Sequence, residues 1–245
     1  MKKIKKTSEL LWLLGTLFVA LGVSICSKAD LGVSMIAAPA FIVSEKLQSI
    51  WSGFTVGTVE YVLQGILLII LCILIRKFHF KYLLAFLVAI IYGYTLDLFL
   101  LITSQLTVNS IFMRYLLLIA GDVITACGVA CFFHTYMPLQ VYELFVAQFS
   151  ISYKINIHKI KTVFDYSLLA ISILLAFTLF GDVKNFDWTK ITYVSFHSIG
   201  LGTIITTLIN SPIIAFFSHI INKVFDATPL FPKLKEFLNS EQEDK

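Results

Sequence analysis

The chain has 245 residues, of which 58% are hydrophobic and only 14% are charged, and its mean hydropathy is +0.87. A soluble domain carries about 45–50% apolar and about 25% charged residues, so too few charges remain here to cover a soluble globule. The same figures exclude a disordered, collagen-like or coiled-coil chain. Because one bilayer crossing takes about 20 mostly apolar residues, the composition predicts an all-α polytopic membrane protein with room for about six to eight spans.

Six apolar segments are long enough to be transmembrane helices. In chain order they cover residues 9–27, 55–75, 82–104, 111–133, 163–181 and 190–220. Two further stretches, 33–49 and 137–152, are too short or too polar to span a bilayer. We expect each to form a short helix that either dips into the protein as a re-entrant segment or lies flat at the membrane surface.

The first segment also has features of a signal peptide, because a lysine-rich start precedes an apolar run. Residues 23–26, Val-Ser-Ile-Cys, resemble a lipoprotein cleavage site, but Ile25 is bulky where a small residue belongs. The apolar run is also long for a signal peptide, and its length suits a membrane span. We therefore expect the first helix to be retained.

The basic residues indicate how the helices cross the membrane, since loops rich in Lys and Arg stay in the cytoplasm. With six spans, five of the 19 basic residues fall on one side, namely Lys28, Lys46, Arg114, Lys184 and Lys190. The other 14 fall on the opposite side, together with both termini. This distribution predicts a multi-pass protein of the bacterial cytoplasmic (plasma) membrane with its N- and C-termini in the cytoplasm.

Two sequence patterns recur at nearly the same distance along the chain. A glycine, six residues, a glycine and a valine begin at Gly15 and again at Gly121, 106 residues later. The tripeptide Val-Glu-Tyr at 59–61 corresponds to Phe-Asp-Tyr at 164–166, 105 residues later. The repeated glycines are expected to let neighbouring helices approach closely, which is a packing role.

Each half of the chain then contains a span, a short helix and two further spans. Because three spans are an odd number, the second half begins on the other side of the membrane and is inverted. We assign residues 1–104 to the first three-helix repeat, 105–220 to the second, inverted three-helix repeat, and 221–245 to a cytoplasmic tail. Two inverted 3+3 repeats are common in secondary transporters. Chance similarity between apolar, glycine-containing helices is the alternative explanation.

Polar residues inside apolar segments are candidates for a binding site, because ionisable groups in the hydrocarbon are costly and normally face a bundle interior or a wet cavity. Glu60 and Asp97 lie near the outer ends of spans 2 and 3, His197 lies at a similar depth in span 6, and Asp122 lies near the middle of span 4. The predicted substrate-binding residues are Glu60, Gln64, Tyr94, Asp97, Asp122, Ser34, Gln140 and His197.

Ser34 and Gln140 enter this set because they occupy corresponding places in the two short segments. A helix N-terminus buried in protein offers free N–H groups to an anion, and two such ends meeting at mid-depth would form a substrate site. We expect Asp30 or Ser34 to cap the first short helix, and Thr135 to cap the second, with Pro138 early in it.

Two further features have structural interpretations. Asp165 lies near the inner end of span 5, four residues after Lys161, and the two are expected to form an ion pair at the membrane surface. The sequence Asn210-Ser211-Pro212 is expected to make span 6 kinked or hinged, because proline removes a backbone hydrogen bond.

No sequence pattern of a catalytic triad, phosphate loop, metal site or nucleic-acid module is present. We therefore expect a protein that is not an enzyme, with no cofactor, no metal and no nucleic-acid partner. Its expected partners are the lipid bilayer and a small-molecule or ion solute, and a homodimer is compatible with the sequence.

The motif Ala-Asp-Leu-Gly-Val-Ser at 29–34 precedes Ser-Gly-Phe-Thr-Val-Gly at 52–57, and Gly-Leu-Gly-Thr follows at 200–203. With the glycine pattern at 15–22, this order resembles the bacterial YczE/YyaS-like membrane proteins, which are grouped with YitT-type proteins. The resemblance covers most of the chain, although Met35 stands where that family usually has proline. It implies an integral membrane fold and carries no known activity, since members of that family are mostly uncharacterised.

We expect a small secondary transporter or permease that uses alternating access around a midplane site between inverted halves. One alternative is a membrane substrate-binding subunit of a larger importer, which would co-purify with an ATPase and a scaffold protein. Another is a membrane assembly or stress factor without transport activity, whose buried acids would be structural.

Overall fold

The computed structural model describes residues 8–76, 78–80, 82–181, 187–226 and 228–239. These residues form nine α-helices: α1 (Ser8–Ala29), α2 (Ala38–Gln48), α3 (Val56–Ile75), α4 (Tyr82–Ser104), α5 (Ile111–Phe132), α6 (Val141–Tyr153), α7 (Ile157–Phe180), α8 (Leu201–Val224) and α9 (Pro232–Asn239). Six of them (α1, α3, α4, α5, α7 and α8) are long and apolar enough to cross a membrane. The predicted polytopic helical fold with six spans and two short helices is confirmed. The lysine-rich start and the end of the tail lie outside the described residues.

The boundaries of the last two spans differ from the prediction. Helix α7 begins at Ile157 rather than near residue 163, because Lys159 and Lys161 lower the hydropathy of a first turn that is nevertheless helical. Helix α8 begins at Leu201 rather than near residue 190, and a 3-10 turn and bends precede it. It then continues through Pro212 to Val224, so the helix does not end there, and the expected kink or hinge stays a prediction.

Neither short helix has the predicted cap. The residue before α2 is Ala37, and the residue before α6 is Gln140, whose side chain makes no capping hydrogen bond. Ser34 contributes only its backbone carbonyl, which accepts hydrogen bonds from the N–H groups of Ala37 and Ala38. Thr135 does not cap α6, and its hydroxyl donates a hydrogen bond to the carbonyl of Ser8 instead.

Contacts near the helix ends define two faces of the bundle. At the N-terminal face, where α1 begins, Ser8 hydrogen-bonds the residues that follow α5, and the Trp12 indole donates to the carbonyl of Pro138 over 2.9 Å. At the opposite face, Asp30 forms an ion pair with Arg114 at the start of α5 and accepts a hydrogen bond from Ser195. The contact of Ser8 with Tyr136 and that of Arg114 with Asp30 join corresponding positions, since 8 and 114, and 30 and 136, are each 106 residues apart.

The helices α1 and α5 pack almost backbone to backbone. A Cβ atom on Gly22 would lie 2.5 Å from the carbonyl oxygen of Gly121, and one on Gly121 would lie 2.7 Å from that of Gly22. The other two repeated glycines, Gly15 and Gly128, face each other in the same way. Gly22 thus contacts the glycine that corresponds to Gly15, and Gly15 contacts the glycine that corresponds to Gly22. This exchange is expected for halves related by a pseudo-two-fold axis.

The remaining helices follow this symmetry in part. Helix α4 packs on α1 as α8 packs on α5, and each short helix packs against both α3 and α7. Helices α3 and α4 approach closely at Gly57 and Gly93, whereas their counterparts α7 and α8 make few contacts with each other. The pair α7–α8 is therefore packed more loosely than its counterpart α3–α4.

Alanine in place of Gly22 tests the α1–α5 contact. In an ordinary helix this change is favourable by up to about 1 kcal/mol, but here the new methyl group would overlap α5. We expect Gly22→Ala to lower the free energy of unfolding by about 1–3 kcal/mol, measured by thermal unfolding in detergent. Gly65→Ala is the control, because its Cβ would meet only the Phe86 ring, at 3.0 Å. A melting temperature of Gly22→Ala at or above that of the wild type would contradict the contact.

Candidate functional site

The start of α6 is bound by a side chain of α3. Gln64 accepts a hydrogen bond from the backbone N–H of Val141 at 3.2 Å through Oε1, and its Nε2 donates to Glu60 Oε1 at 3.3 Å. The first N–H groups of a helix have no partner within the helix, so a buried N-terminus needs such an acceptor. The Gln64 amide therefore joins the N-terminus of α6 to the carboxyl group of Glu60.

This contact places the start of α6 deep in the bundle. Gln64 lies eight residues after Val56, about 12 Å along α3 from the opposite face at 1.5 Å per residue. From there α6 runs to the N-terminal face, where Tyr153 lies near Ile75 at the end of α3. Helix α6 thus enters the bundle instead of lying flat across its end, and of the two predicted placements the structure shows the re-entrant one.

A buried ion pair on α7 lies beside the same end of α6. Lys161 Nζ is 3.2 Å from Asp165 Oδ1, and the two residues are only 9% and 3% exposed. Both lie within electrostatic range of Glu143, in the first turn of α6. Because α7 begins earlier than predicted, Asp165 lies about 12 Å from its start. The pair is therefore buried within the protein, and its expected position at the membrane surface stays a prediction.

Two tyrosines complete the group. Tyr92 of α4 lies within electrostatic range of Glu60 and Glu143, and the Tyr142 hydroxyl lies beside Glu60. We call the following residues the buried polar cluster: Glu60, Gln64, Tyr92, Gln140, Tyr142, Glu143, Lys161 and Asp165.

Several atoms of the buried polar cluster have no hydrogen-bond partner among the described residues. They are Glu60 Oε2, Glu143 Oε2 and Gln140 Nε2, and Glu60 is only 1% exposed. Leaving a buried polar atom without a partner costs about 1–3 kcal/mol. The cluster thus has two carboxylate oxygens and one amide N–H for which the described residues supply no hydrogen-bond partner.

The cluster lies between helices of the two predicted repeats. Glu60 of α3 and Asp165 of α7 correspond under the 105-residue offset. Glu143 lies within electrostatic range of both, and its helix packs against both α3 and α7. Inverted-repeat transporters commonly bind substrate at such an interface near the midplane.

Asp122 occupies a second buried position, on α5. It is 1% exposed, and neither carboxyl oxygen has a hydrogen-bond partner within the described part of the chain. Its neighbour Gly121 touches α1 at Gly22 and Cys26. Asp122 therefore lies beside the α1–α5 contact, at a place separate from the buried polar cluster.

Asp97 acts on the start of α3. Its Oδ1 accepts a hydrogen bond from the backbone N–H of Gly57 at 2.8 Å, and its Oδ2 accepts one from the Thr55 hydroxyl at 2.6 Å. A carboxylate in this position satisfies a free helix N–H group and interacts favourably with the positive end of the helix dipole. The geometry gives Asp97 a capping role.

The other predicted site residues lie apart from the buried polar cluster. Tyr94 is 64% exposed on the outer side of α4. His197 is not in span 6 but in the loop before α8, where its Nδ1 lies 2.7 Å from Glu45 and its ring stacks on Phe180. Ser34 is buried near the opposite face, next to the Val33–Ser198 backbone hydrogen bond. The predicted residues that the cluster contains are Glu60, Gln64 and Gln140.

On the N-terminal face, Tyr136 forms a hydrogen bond with Glu9, which also accepts hydrogen bonds from the backbone N–H groups of Leu230 and Phe231. Burial and the hydrogen bond to Glu9 raise the pKa of Tyr136 to about 12. The phenol therefore stays protonated at neutral pH and keeps the loop after α5 attached to the start of α1.

The comparisons with known proteins place the chain in a family without assigning an activity. Residues 6–219 match the model of a family of unknown function, DUF6198. The chain belongs to this family. No curated protein and no solved structure matches it. The expected membership of an uncharacterised family is confirmed, and the more specific likeness to YczE/YyaS-like proteins stays a prediction.

Removing the Asp97 side chain tests its capping role. We expect Asp97→Ala to lower the free energy of unfolding by about 0.5–2 kcal/mol, because α3 loses an acceptor at its N-terminus. Asp97→Asn keeps one acceptor oxygen and should cost less. Thermal unfolding measures both, with Thr95→Ala on the same helix as the control. Equal stability of Asp97→Ala and the wild type would disprove the cap.

A single variant and a double variant test the buried ion pair. Lys161→Met leaves the carboxyl groups of Asp165 and Glu143 without their cation, and loss of one partner of a buried pair costs about 3–5 kcal/mol. Adding Asp165→Asn removes one of the unpaired acids, so the double variant should melt at a higher temperature than Lys161→Met alone. If the second substitution lowers stability further, the two residues do not act as a pair.

Proposed function

We propose that this protein is a small secondary transporter of a polar small solute, with its site at the buried polar cluster. The observation that carries the proposal is the position of Glu143, in the first turn of a re-entrant helix between two acids that correspond in the two repeats. In a bundle with six candidate spans, buried ionisable groups at such a position are typical of solute and ion pathways.

A cavity at the N-terminal face supports the proposal. It has a volume of about 440 Å³ and is lined by the ends of α3, α4 and α6, including Ile75, Tyr82, Gln148 and Tyr153. We call it the vestibule. Helix α6 connects it to the cluster, since Glu143 and Gln148 lie about 8 Å apart along the helix axis. A displacement of α6 or α7 would open the cluster toward the vestibule.

The same proposal includes an orientation. The face that carries 14 of the 19 basic residues would lie in the cytoplasm, with both termini, in a bacterial cytoplasmic membrane. The vestibule would then open to the cytoplasm.

Substitutions in the cluster test the function. A thermal-shift screen of the purified full chain against amino acids, sugars, amines and organic acids first identifies a stabilising solute, which is then radiolabelled. We expect proteoliposomes with the wild type to take up this solute, and those with Glu143→Gln or Glu60→Gln to take up none, because both substitutions change the groups that face the site.

Asp187→Asn is the matched control, since Asp187 lies exposed in the loop before α8 and pairs with Lys190. It should transport like the wild type. Uptake at the wild-type rate by both cluster variants, at equal amounts of folded protein, would refute the assignment of the site. Solute binding without uptake, together with co-purification of an ATPase, would favour an importer subunit instead.

A further inference from the structure

We infer that the buried polar cluster is a proton-binding site, and that the proton is the coupling ion of the proposed transporter. The inference rests on the proposed function only for the coupling, because the binding of protons follows from the charges and the packing of the cluster itself.

The charges of the cluster do not balance. The cluster holds three carboxyl groups, on Glu60, Glu143 and Asp165, and the single ammonium group of Lys161, which pairs with Asp165. If all were ionised, two negative charges would remain among residues that are at most 9% exposed. Uncompensated charge in such surroundings is so costly that the group neutralises instead.

Within the part of the chain that the structure describes, the surrounding helices supply no further cation to the cluster. Around Glu143, α3 contributes Glu60, α4 contributes Tyr92, and α7 contributes Lys161 and Asp165. Of the groups on α2, Glu45 and Lys46 lie exposed at its end, at the opposite face of the bundle. The acid of α4 that is nearest to the start of α3, Asp97, is bound there by Thr55 and Gly57.

The packing favours a proton over a larger cation. Glu60, Gln64 and Tyr142 are all buried, and aromatic rings of α6 and α7 pack next to them, with the ring centroids of Tyr142 and Phe164 6.2 Å apart. The described residues also contain no group of three or more His, Cys, Asp or Glu side chains arranged to hold a metal ion. A proton needs no cavity, and it converts a carboxylate oxygen into a donor.

The carboxylate oxygens without a hydrogen-bond partner among the described residues are the atoms that would bind the proton. A proton on Glu60 Oε2 or Glu143 Oε2 neutralises one of the oxygens that lack a hydrogen-bond partner among the described residues. Two protons, taken from water in the vestibule, make the closed cluster neutral. When the bundle opens toward the other face, they leave to water there, and Lys161 keeps its ammonium proton throughout.

Infrared spectroscopy detects these protons without any solute. The full chain in nanodiscs is recorded at neutral pH, where the C=O stretch of a protonated carboxyl group is separate from the carboxylate bands. We expect Glu60→Gln and Glu143→Gln each to remove a component of the protonated band. Asp187→Asn should leave it unchanged, because that acid is exposed and ionised. Asp122→Asn identifies the separate contribution of α5.

A protonated band that neither Glu60→Gln nor Glu143→Gln alters would overturn the proton site, whatever the protein transports. If Glu143→Gln does not fold, Glu60→Gln alone decides. The coupling is measured in proteoliposomes loaded with the pH dye pyranine, to which the solute from the thermal-shift screen is added.

The outcomes of the two measurements separate the two proposals. Solute uptake that acidifies the lumen supports coupling, and uptake that is independent of the pH gradient overturns coupling but leaves the transport function intact. Protonated bands without movement of any solute support the proton site while refuting the transport function.

Discussion

The close approach of α1 and α5 determines where the segments that follow these two helices lie in the bundle. Glycines at corresponding positions in the two repeats remove the side chains that would keep the backbones apart. The segment that precedes each short helix follows directly from the end of α1 or α5. Once these two helices cross in opposite directions, the segments after them are delivered to opposite faces of the bundle.

The buried start of α6 then demands an acceptor, because backbone N–H groups in an apolar interior cannot be left to water. Gln64 of α3 meets this demand, and the same contact brings Glu143 of α6 beside Glu60. The polar groups that we assign to function are therefore also part of the structure of the re-entrant helix. Because of this dual role, replacing Glu60 or Glu143 by the amide of the same shape removes the charge while keeping the packing.

Hydropathy was sufficient to predict the six spans and the two short helices, since the apolar runs are long and well separated. It failed at the start of α7, where Lys159 and Lys161 suggested a surface segment although Asp165 neutralises Lys161 inside the bundle. It could not predict rotation about a helix axis. Tyr94 has helical spacing from Asp97, yet Tyr92, two residues earlier, is the buried tyrosine and lies within electrostatic range of Glu60. The partners that decide such orientations come from distant helices.

The departure from symmetry indicates which part of the proposed transporter moves. Gly57 and Gly93 hold α3 tightly against α4, so the Glu60 side of the cluster belongs to a rigid pair. Helix α7 has no such attachment to α8, and it carries the only cation of the cluster. If α7 moved away from α6, Lys161 and Asp165 would move away from Glu143 as an intact ion pair. Water would then reach Glu143, and a proton held there would leave to that water. The weak contact between α7 and α8 would in this way control the proton occupancy of the cluster.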